Sequence, residues 1–566
     1  PSIWVRFVLQ SDPAAIDPAL AGKRVYGLIW TTTPWTIPAN MAISYHPRFT
    51  YVAVDVDGDT YIVAEDLLSQ TAENAGWAAP VTVAEFEGAR LENTVFRHPF
   101  IERTSRGILA DHVTLEQGTG AVHTAPGHGH EDYVVGQKYG IETYCPVDAA
   151  GRFFPASGAD GIIPEVLIGK TVWEGNKIVP ELLKEAGALV AQNRVDHSYP
   201  HCWRCHKPTI FRATDQWFIG MDRNDLRSKA LEAIRDVKWM PGWGEERIYN
   251  MIAERPDWCI SRQRVWGVPI IAFYCDSCTQ PLLDRKYLDP VVELFREHSA
   301  DIWYQRTAAE LLPPGTACPN CGGTEFFKEK DILDVWFDSG SSHLCVLGHS
   351  KELPWPSNLY LEGGDQYRGW FHSSLLIGVG LRGHAPYQEC ATNGWTLDGE
   401  GRAMSKSVGN VIEPDKIIKV HGAELLRLWV ASVEFNEDVR LSDTILQRLT
   451  EAYRKLRNSV FRYALGNVFD YDPATDAVAD QDLLEIDRWI LYQTRDLVRD
   501  CREYYSQFAF HRVYRRVYDF ATTDLSAVYF DVAKDRLYTS APKSRERRSA
   551  QTAIYRINYA LVRLLA

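Results

Sequence analysis

Six of the eleven cysteines in this 566-residue chain fall in Cys-x-x-Cys pairs, Cys202/Cys205, Cys275/Cys278 and Cys318/Cys321. Thiols at that spacing can hold a metal ion from a tight turn. The second and third pairs are separated by 39 residues and sit in Tyr274-Cys-Asp-Ser-Cys-Thr279 and Ala317-Cys-Pro-Asn-Cys-Gly-Gly323, contexts typical of zinc knuckles. Their four thiolates predict a closed tetrahedral Zn2+ site with a structural role. Cys202 and Cys205 have no second pair left in the chain, and the five lone cysteines read as small buried hydrophobes. A second chemistry lies in the polar stretch from Asp398 to Asn410, where Met404, Ser405, Lys406 and Ser407 are followed by Gly409. A lysine flanked by serines suits a mobile loop that closes a cation over a polyphosphate, although Ser-Lys-Ser by itself also fits an ordinary surface turn. A third constellation runs from Tyr360 to Phe371 and contains Glu362, Gly363, Gly364, Asp365 and Gln366. An apolar strand running into glycines and acids places these side chains where an α/β sheet holds a ribose, ammonium or hydroxyl group. Gly-Gly-Asp is also a common plain turn. The segment Asp334–Gly340 is expected as a second apolar strand on the same cleft, with Trp336 either on its wall or in the core.

Positioning these groups requires a large scaffold. At roughly 150 residues per domain the length predicts three or four domains with substantial cores. Hydrophobic content of 45% and charged content of 24% are those of a globular chain. The longest apolar stretches fall far short of the ~20 residues that span a bilayer, and the N-terminus has no signal-peptide pattern, so a cytoplasmic protein away from membranes is expected. Residues 1–22 read as a connective segment. Residues 23–195 are β-rich, with strands expected over Val25–Thr32, Tyr51–Val56 and Tyr61–Val63 in a compact barrel-like or mixed domain. Residues 196–435 alternate short strands with helices, as in an α/β nucleotide-binding domain, with the cysteine pairs in an insertion at 272–330. Residues 436–566 carry apolar residues at helical spacing and predict a helical bundle. The net charge of −13 does not favour nucleic acid. Local clustering matters more, and Arg448, Arg454, Lys455, Arg457 and Arg462 fall on one expected helix. A second basic run is Arg545–Arg548; both runs also fit solvated helix faces.

The order Asp-Val-Trp-Phe-Asp-Ser-Gly, then Leu-Glu-Gly-x-Asp-Gln-x-Arg-Gly-Trp-Phe, then Met-Ser-Lys-Ser-x-Gly-Asn resembles the second half of the catalytic domain of the isoleucyl-tRNA synthetases, a family of class I aminoacyl-tRNA synthetases. Arg255–Pro269 and His197–Cys205 resemble it too, and the likeness covers nearly the whole chain. It implies a Rossmann-like catalytic domain with an inserted β-rich editing domain, a zinc-knuckle insertion and an incomplete helical anticodon-binding domain. The implied activity is ATP-dependent formation of an isoleucyl adenylate and transfer to tRNA(Ile). Lys406, within a Lys-Met-Ser-Lys-Ser-like loop formed with Met404, Ser405 and Ser407, would contact ATP phosphate. Glu362, Gly363, Asp365 and Gln366 would hold the aminoacyl adenylate, and Trp336 and Trp370 would shape the amino-acid pocket. Arg454 and Arg457 are the candidates for tRNA contact, with Mg2+ accompanying ATP and Zn2+ on the cysteines, Cys202 and Cys205 included. The first signature position is Ala403 rather than lysine, so one of two cations is missing and weaker ATP binding is expected unless something compensates.

Thr31–Asn40 and Gly118–Tyr133 look like the two segments of that family's editing pocket. The resemblance names Thr31, Thr32, Thr33, Asn40, His123 and Asp132. Threonine hydroxyls suit an ester and a water, and a carboxylate suits the free ammonium of an aminoacyl group. Threonine runs also form plain strands, and His123, His128 and His130 could instead make a metal site. The Thr-Thr-Thr-Pro-Trp-Thr form separates the chain from valyl and leucyl relatives, which carry arginine after two threonines. One methylene supplies only ~1–3 kcal/mol of discrimination between isoleucine and valine, and isoleucyl synthetases are the standard illustration of why a second hydrolytic site is needed. A His-x-Gly-His motif, the usual upstream partner of the lysine loop, does not occur, so an internal fragment unable to activate amino acid alone is expected. The alternatives are a fragment retaining only deacylation of Val-tRNA(Ile) or only tRNA binding. A monomer is expected, with tRNA(Ile), isoleucine and ATP as partners.

Overall fold

Along β1 (Ser2–Leu9), Ile3, Val5, Phe7 and Leu9 enter one apolar cluster, while Trp4 enters another on the opposite face. A strand buried on both sides reads as a near-continuous apolar run rather than a polar–apolar alternation, and this one is the centre of a ten-stranded sheet. The computed structural model describes residues 2–155, 163–203 and 205–566; Pro1, the first residue of the expected connective segment, residues 156–162, Arg204 and the side chain of Ser459 lie outside the described set. The chain folds as two units, residues 1–215 and 216–566.

In the first unit, β2 (Val25–Thr31), β3 (Ala42–Tyr45), β4 (Thr50–Val56), β5 (Asp59–Ala64), β6 (Val81–Glu87), β7 (Val95–Arg97), β8 (Thr104–Leu109) and β9 (Ala121–Thr124) follow β1. They pair in the order β6-β4-β5-β2-β1-β7-β8-β3-β9, and β10 (Leu189–Asn193) adds to β1. The sheet is mixed, with β2/β5 and β3/β8 parallel. Residues 1–22, expected as a connective part of the catalytic domain, thus supply this sheet's middle strand. Its strand pattern was legible, but its partners lie up to 190 residues away in sequence, as in Ser2 opposite Asn193.

In the second unit, strands Ser357–Gly363 and Lys238–Met240 flank Tyr387–Asn393 in a parallel sheet. The helix Trp370–Arg382 is buried from Phe371 to Val379, which explains its weak amphipathic pattern. Asp334–Gly340, expected as a strand, is instead a short helix over Val335–Gly340, with the Asp334 carboxylate accepting the Trp336 amide at 3.2 Å. A short apolar run does not distinguish strand from helix, and the preceding Asp supplied a cap that decides it. The basic helix expected over Arg448–Arg462 is α-helical over Asp443–Arg454 and continues as a wider π-helical turn through Arg462. No described helix is long and apolar enough to cross a membrane.

The C-terminal helices pack around Leu456, Ile490, Leu497, Phe520, Leu525 and Ile557. Inside that core Asp487, wholly buried, accepts from Arg536 at 2.9 Å, from the Tyr529 hydroxyl at 2.7 Å and from Ser549 at 2.5 Å. The second basic run proves largely structural, since Arg547 and Arg548 pair with Asp470 and Asp476. Removing one member of a buried pair strands the other. Asp487→Ala is therefore expected to cost about 3–5 kcal/mol in urea unfolding of the chain, and a loss below 1 kcal/mol would show that the network contributes little.

Candidate functional site

In the first unit, Pro34–Ala39 forms a buried 3-10 turn directly after β2. Proline at its start fixes φ, and the irregular backbone leaves carbonyls that no strand can satisfy. Two side chains meet them, and a third meets an amide. His98 Nδ1 accepts from the Ile101 amide at 3.1 Å, so its Nε2–H donates to the Ile37 carbonyl at 2.9 Å. Arg103 donates to the Pro38 and Asn40 carbonyls and lies over the Tyr144 ring. Asn176 accepts the Trp35 amide at 3.3 Å.

This turn meets the segment after β9. The Thr36 hydroxyl donates to the Thr33 carbonyl at 2.8 Å, so its oxygen accepts from His123 Nε2–H at 2.9 Å. The Trp35 and His128 rings meet edge to face at 4.9 Å, and the Met41 amide donates to the Thr124 carbonyl at 2.9 Å. Residues 31–40 and 123–132 therefore share one site. Burial, with a smaller repulsion from His128, lowers the His123 imidazole to about 4, leaving it neutral with Nδ1 buried and no hydrogen-bond partner among the described residues. Asp132 lies in the first turn of the helix His130–Lys138 and accepts the Ala125 amide at 3.0 Å. Burial raises its carboxyl to about 6, a shift that the Ala125 hydrogen bond opposes. Thr31 is buried and its hydroxyl accepts the Thr33 amide, whereas Thr32 and Thr33 are half-buried. Asn40 is wholly buried, with its amide donating to Ala42 O and its oxygen accepting from Ser105. Its place in the motif is that of a scaffold residue. No metal cluster forms from His123, His128 and His130 among the described residues.

In the second unit, Glu362 and Gly363 end their strand in register with Thr392 and Asn393. A Cβ on Gly363 would sit 2.8 Å from Asp365 Oδ1, and one on Gly369 would meet the Trp336 ring at 2.6 Å. Glycine at both positions lets the acid and the indole close on the backbone. Gln366 accepts the Trp370 amide at 2.9 Å and donates to Asp365 at 3.0 Å. Trp370 stacks on Tyr360 at 3.9 Å and donates to the Ser339 carbonyl, while Trp336 stays 41% exposed. The structure thus gathers Glu362, Gly363, Asp365, Gln366, Trp336 and Trp370 at one strand end.

The lysine loop is organised by two residues that sequence reasoning missed. Asp398 accepts from the Glu400 and Arg402 amides, from the Arg402 guanidinium at 2.9 Å and from Asn410 at 3.0 Å. These bonds, Asn410 foremost, hold its carboxyl well below the usual carboxylate range. Asn410 also donates to the Ala403 carbonyl at 3.1 Å and accepts the Ser405 amide at 2.9 Å. Asp and Asn bracketing a Gly-rich run were the available signal. Met404 packs with Leu425, Trp429 and Leu441. Ser405 and Ser407 meet at 3.0 Å, and Lys406 is exposed. Among the described residues no hydrogen bond or ion pair joins this loop to Glu362–Gln366. Arg454 and Arg457 are exposed.

Cys275, Cys278, Cys318 and Cys321 come together with all four sulfurs within 4.8 Å of one another. Two pairs lie at 3.5 and 3.6 Å, close to the edges of about 3.8 Å that tetrahedral Zn–S bonds of about 2.3 Å require. Left-handed Thr279 and Gly322 turn the backbone in each knuckle. The donor set fits a thiophilic ion. The cluster formed among the described residues does not include Cys202 and Cys205.

The sequence has counterparts among known proteins. The family profile described as tRNA synthetases class I (I, L, M and V) matches residues 28–442, and one described as the anticodon-binding domain of tRNA ligase matches residues 487–566. Isoleucine–tRNA ligases from Geobacter sulfurreducens and Syntrophotalea carbinolica are 53% and 51% identical over 566 residues, covering all of this chain and 60% of their own length. The isoleucine–tRNA ligase from Desulfovibrio desulfuricans is 50% identical over 574 aligned positions with the same coverage. The chain spans about 60% of the length of these curated relatives. With the glycine-rich turn after Gly363, the lysine loop and the cysteine knuckles all inside a matched span that covers more than half of its length, the chain belongs to the class I tRNA synthetases of the isoleucine, leucine, methionine and valine group.

Proposed function

We propose that the chain is part of an isoleucine–tRNA ligase that activates isoleucine with ATP, transfers it to tRNA(Ile) and hydrolyses products carrying valine. One observation carries the reading: likeness to ligases of that name, at 50–53% identity, runs through every segment described above. In this reading Glu362, Gly363, Asp365 and Gln366 bind the ribose and ammonium of the adenylate, and the Trp336 face forms the apolar wall for a branched side chain. Lys406 stabilises charge on the ATP phosphates. Mg2+ accompanies those phosphates. Arg454 and Arg457 contact tRNA phosphates, and the enzyme acts as a monomer in the cytoplasm.

In the editing site Asp132 anchors the ammonium of the mischarged residue. The threonine hydroxyls and the neutral His123 imidazole hold the ester and its attacking water. Losing one charge-assisted contact of this kind costs about 1.5–3 kcal/mol, or roughly 10- to 150-fold. Asp132→Ala should therefore slow Val-tRNA(Ile) hydrolysis by the chain by that factor, and equal rates would remove Asp132 from the role. Hydrolysis should also fall as pH drops through about 6, where the anchor becomes neutral. Because folding raises this carboxyl, the native state binds its proton more tightly than the unfolded chain does. The stabilisation is present at low pH and lost as pH rises through about 6. Asp132→Asn should then be more stable than the parent at pH 8 by about 1–2 kcal/mol after allowance for partial exposure, and equal to it near pH 4. A lower stability at pH 8 would contradict the assignment of burial as the cause.

The cysteine cluster is proposed to hold one structural Zn2+. Metal analysis should find one equivalent per chain, lost with a lowered melting temperature in Cys318→Ser and retained in Cys202→Ser. Retention in the first variant or loss in the second would reassign the site.

A further inference from the structure

The lysine loop lacks a cation at Ala403, and a neighbouring strand offers one. Ala403 pairs with Leu397, and Leu397 pairs on its other side with Arg440, so the three residues form one row across a three-stranded ribbon. Residues in one row project to the same face of a sheet. At about 4.8 Å between strands, the row places the Arg440 backbone roughly 10 Å from position 403, a span that an arginine side chain can largely bridge. The guanidinium leans along that row: a Cβ on Gly401 would meet its Nη2 at 3.1 Å. Gly401 has φ of 82°, so the glycine both permits the turn and leaves room for the cation.

Two other cations of this part of the chain have acidic partners. Arg402 pairs with Asp398 at 2.9 Å and Glu400 at 3.2 Å, and Lys416 pairs with Glu413. Arg440 is exposed and has no ion pair or side-chain hydrogen bond among the described residues. Its strand is tied to the strand that leads into the loop, because Val439 N donates to Trp395 O and Leu441 N to Leu397 O, each at 2.9 Å, and Leu441 shares an apolar cluster with Met404.

We infer that Arg440 is a further phosphate-binding residue, supplying to the polyphosphate of ATP the second positive charge that Ala403 leaves out. The inference rests on the nucleotide reading of the Lys406 loop. A guanidinium is suited to it, since its planar fork donates two parallel hydrogen bonds to a phosphate and stays charged at any physiological pH.

Inorganic pyrophosphate serves as the probe, with its binding to the full chain followed by calorimetry. Arg440→Ala should weaken binding about tenfold, as for one charge-assisted phosphate contact. Ala403→Lys should restore most of that loss in the Arg440→Ala background and add far less to the unmodified chain, because the two positions serve the same charge. Arg440 is exposed, and an unchanged melting temperature in Arg440→Ala would confirm that the fold is intact. If Lys406→Ala loses affinity and Arg440→Ala binds like the parent, the inference is overturned while the loop reading stands. If neither substitution matters, or the unmodified chain does not bind pyrophosphate, both are overturned together.

Discussion

A buried peptide group that no strand or helix pairs must find another partner, and each functional segment of this chain is built around that requirement. The turn after β2 lies in the interior with carbonyls pointing away from any ladder, and His98 and Arg103 reach across to them. The glycine-rich turn after Gly363 is closed by Gln366, whose oxygen takes the first free amide of the next helix. The lysine loop is wound around the Asp398 carboxylate and the Asn410 amide. Irregular backbone is what lets these segments present chemistry, and fixed polar side chains are what keep it in one conformation.

The same rule explains which parts of the molecule were legible in its sequence. Elements with a strong local signal were readable: the strands at Val25 and Tyr51, the helical C-terminal region, and the two cysteine pairs whose spacing survives any fold. The pairing of β1 was not, because its apolar run says that it is buried without saying by what. The segment Asp334–Gly340 reads as a strand although Asp334 caps a helix, since a three-residue apolar run has no period to measure. Asn40 is named by its place at the end of a motif, and its buried hydrogen bonds to Ala42 and Ser105 could not be read from that place. Residues such as His98, Arg103 and Asp398 carry no motif of their own. Their work depends on partners distant in the chain or on a turn geometry that composition does not encode.

Electrostatically, the net charge of −13 conceals a division of labour. Many arginines are bound to acids within the fold, including Arg536, Arg547 and Arg548 in the helical bundle. Cations left unpaired, such as Lys406, Arg440, Arg454 and Arg457, are exposed. An acidic chain can therefore still present isolated positive points to polyanions, and the surrounding negative field favours ligands that reach those points over nonspecific attraction.

Met404 is the one side chain of the lysine loop that points inward, into the cluster formed by Leu425, Trp429, Leu441 and Leu446. Any outward swing has to draw that thioether back into water, which costs about 1 kcal/mol for a half-buried methionine. At thermal equilibrium such a cost keeps the displaced form to roughly one molecule in six. The segment thus behaves less as a slack tether than as a spring-loaded catch: beside the hydrogen bonds of Asp398 and Asn410, grease helps to set its resting position, and that share of the hold should weaken on cooling, as apolar attraction does.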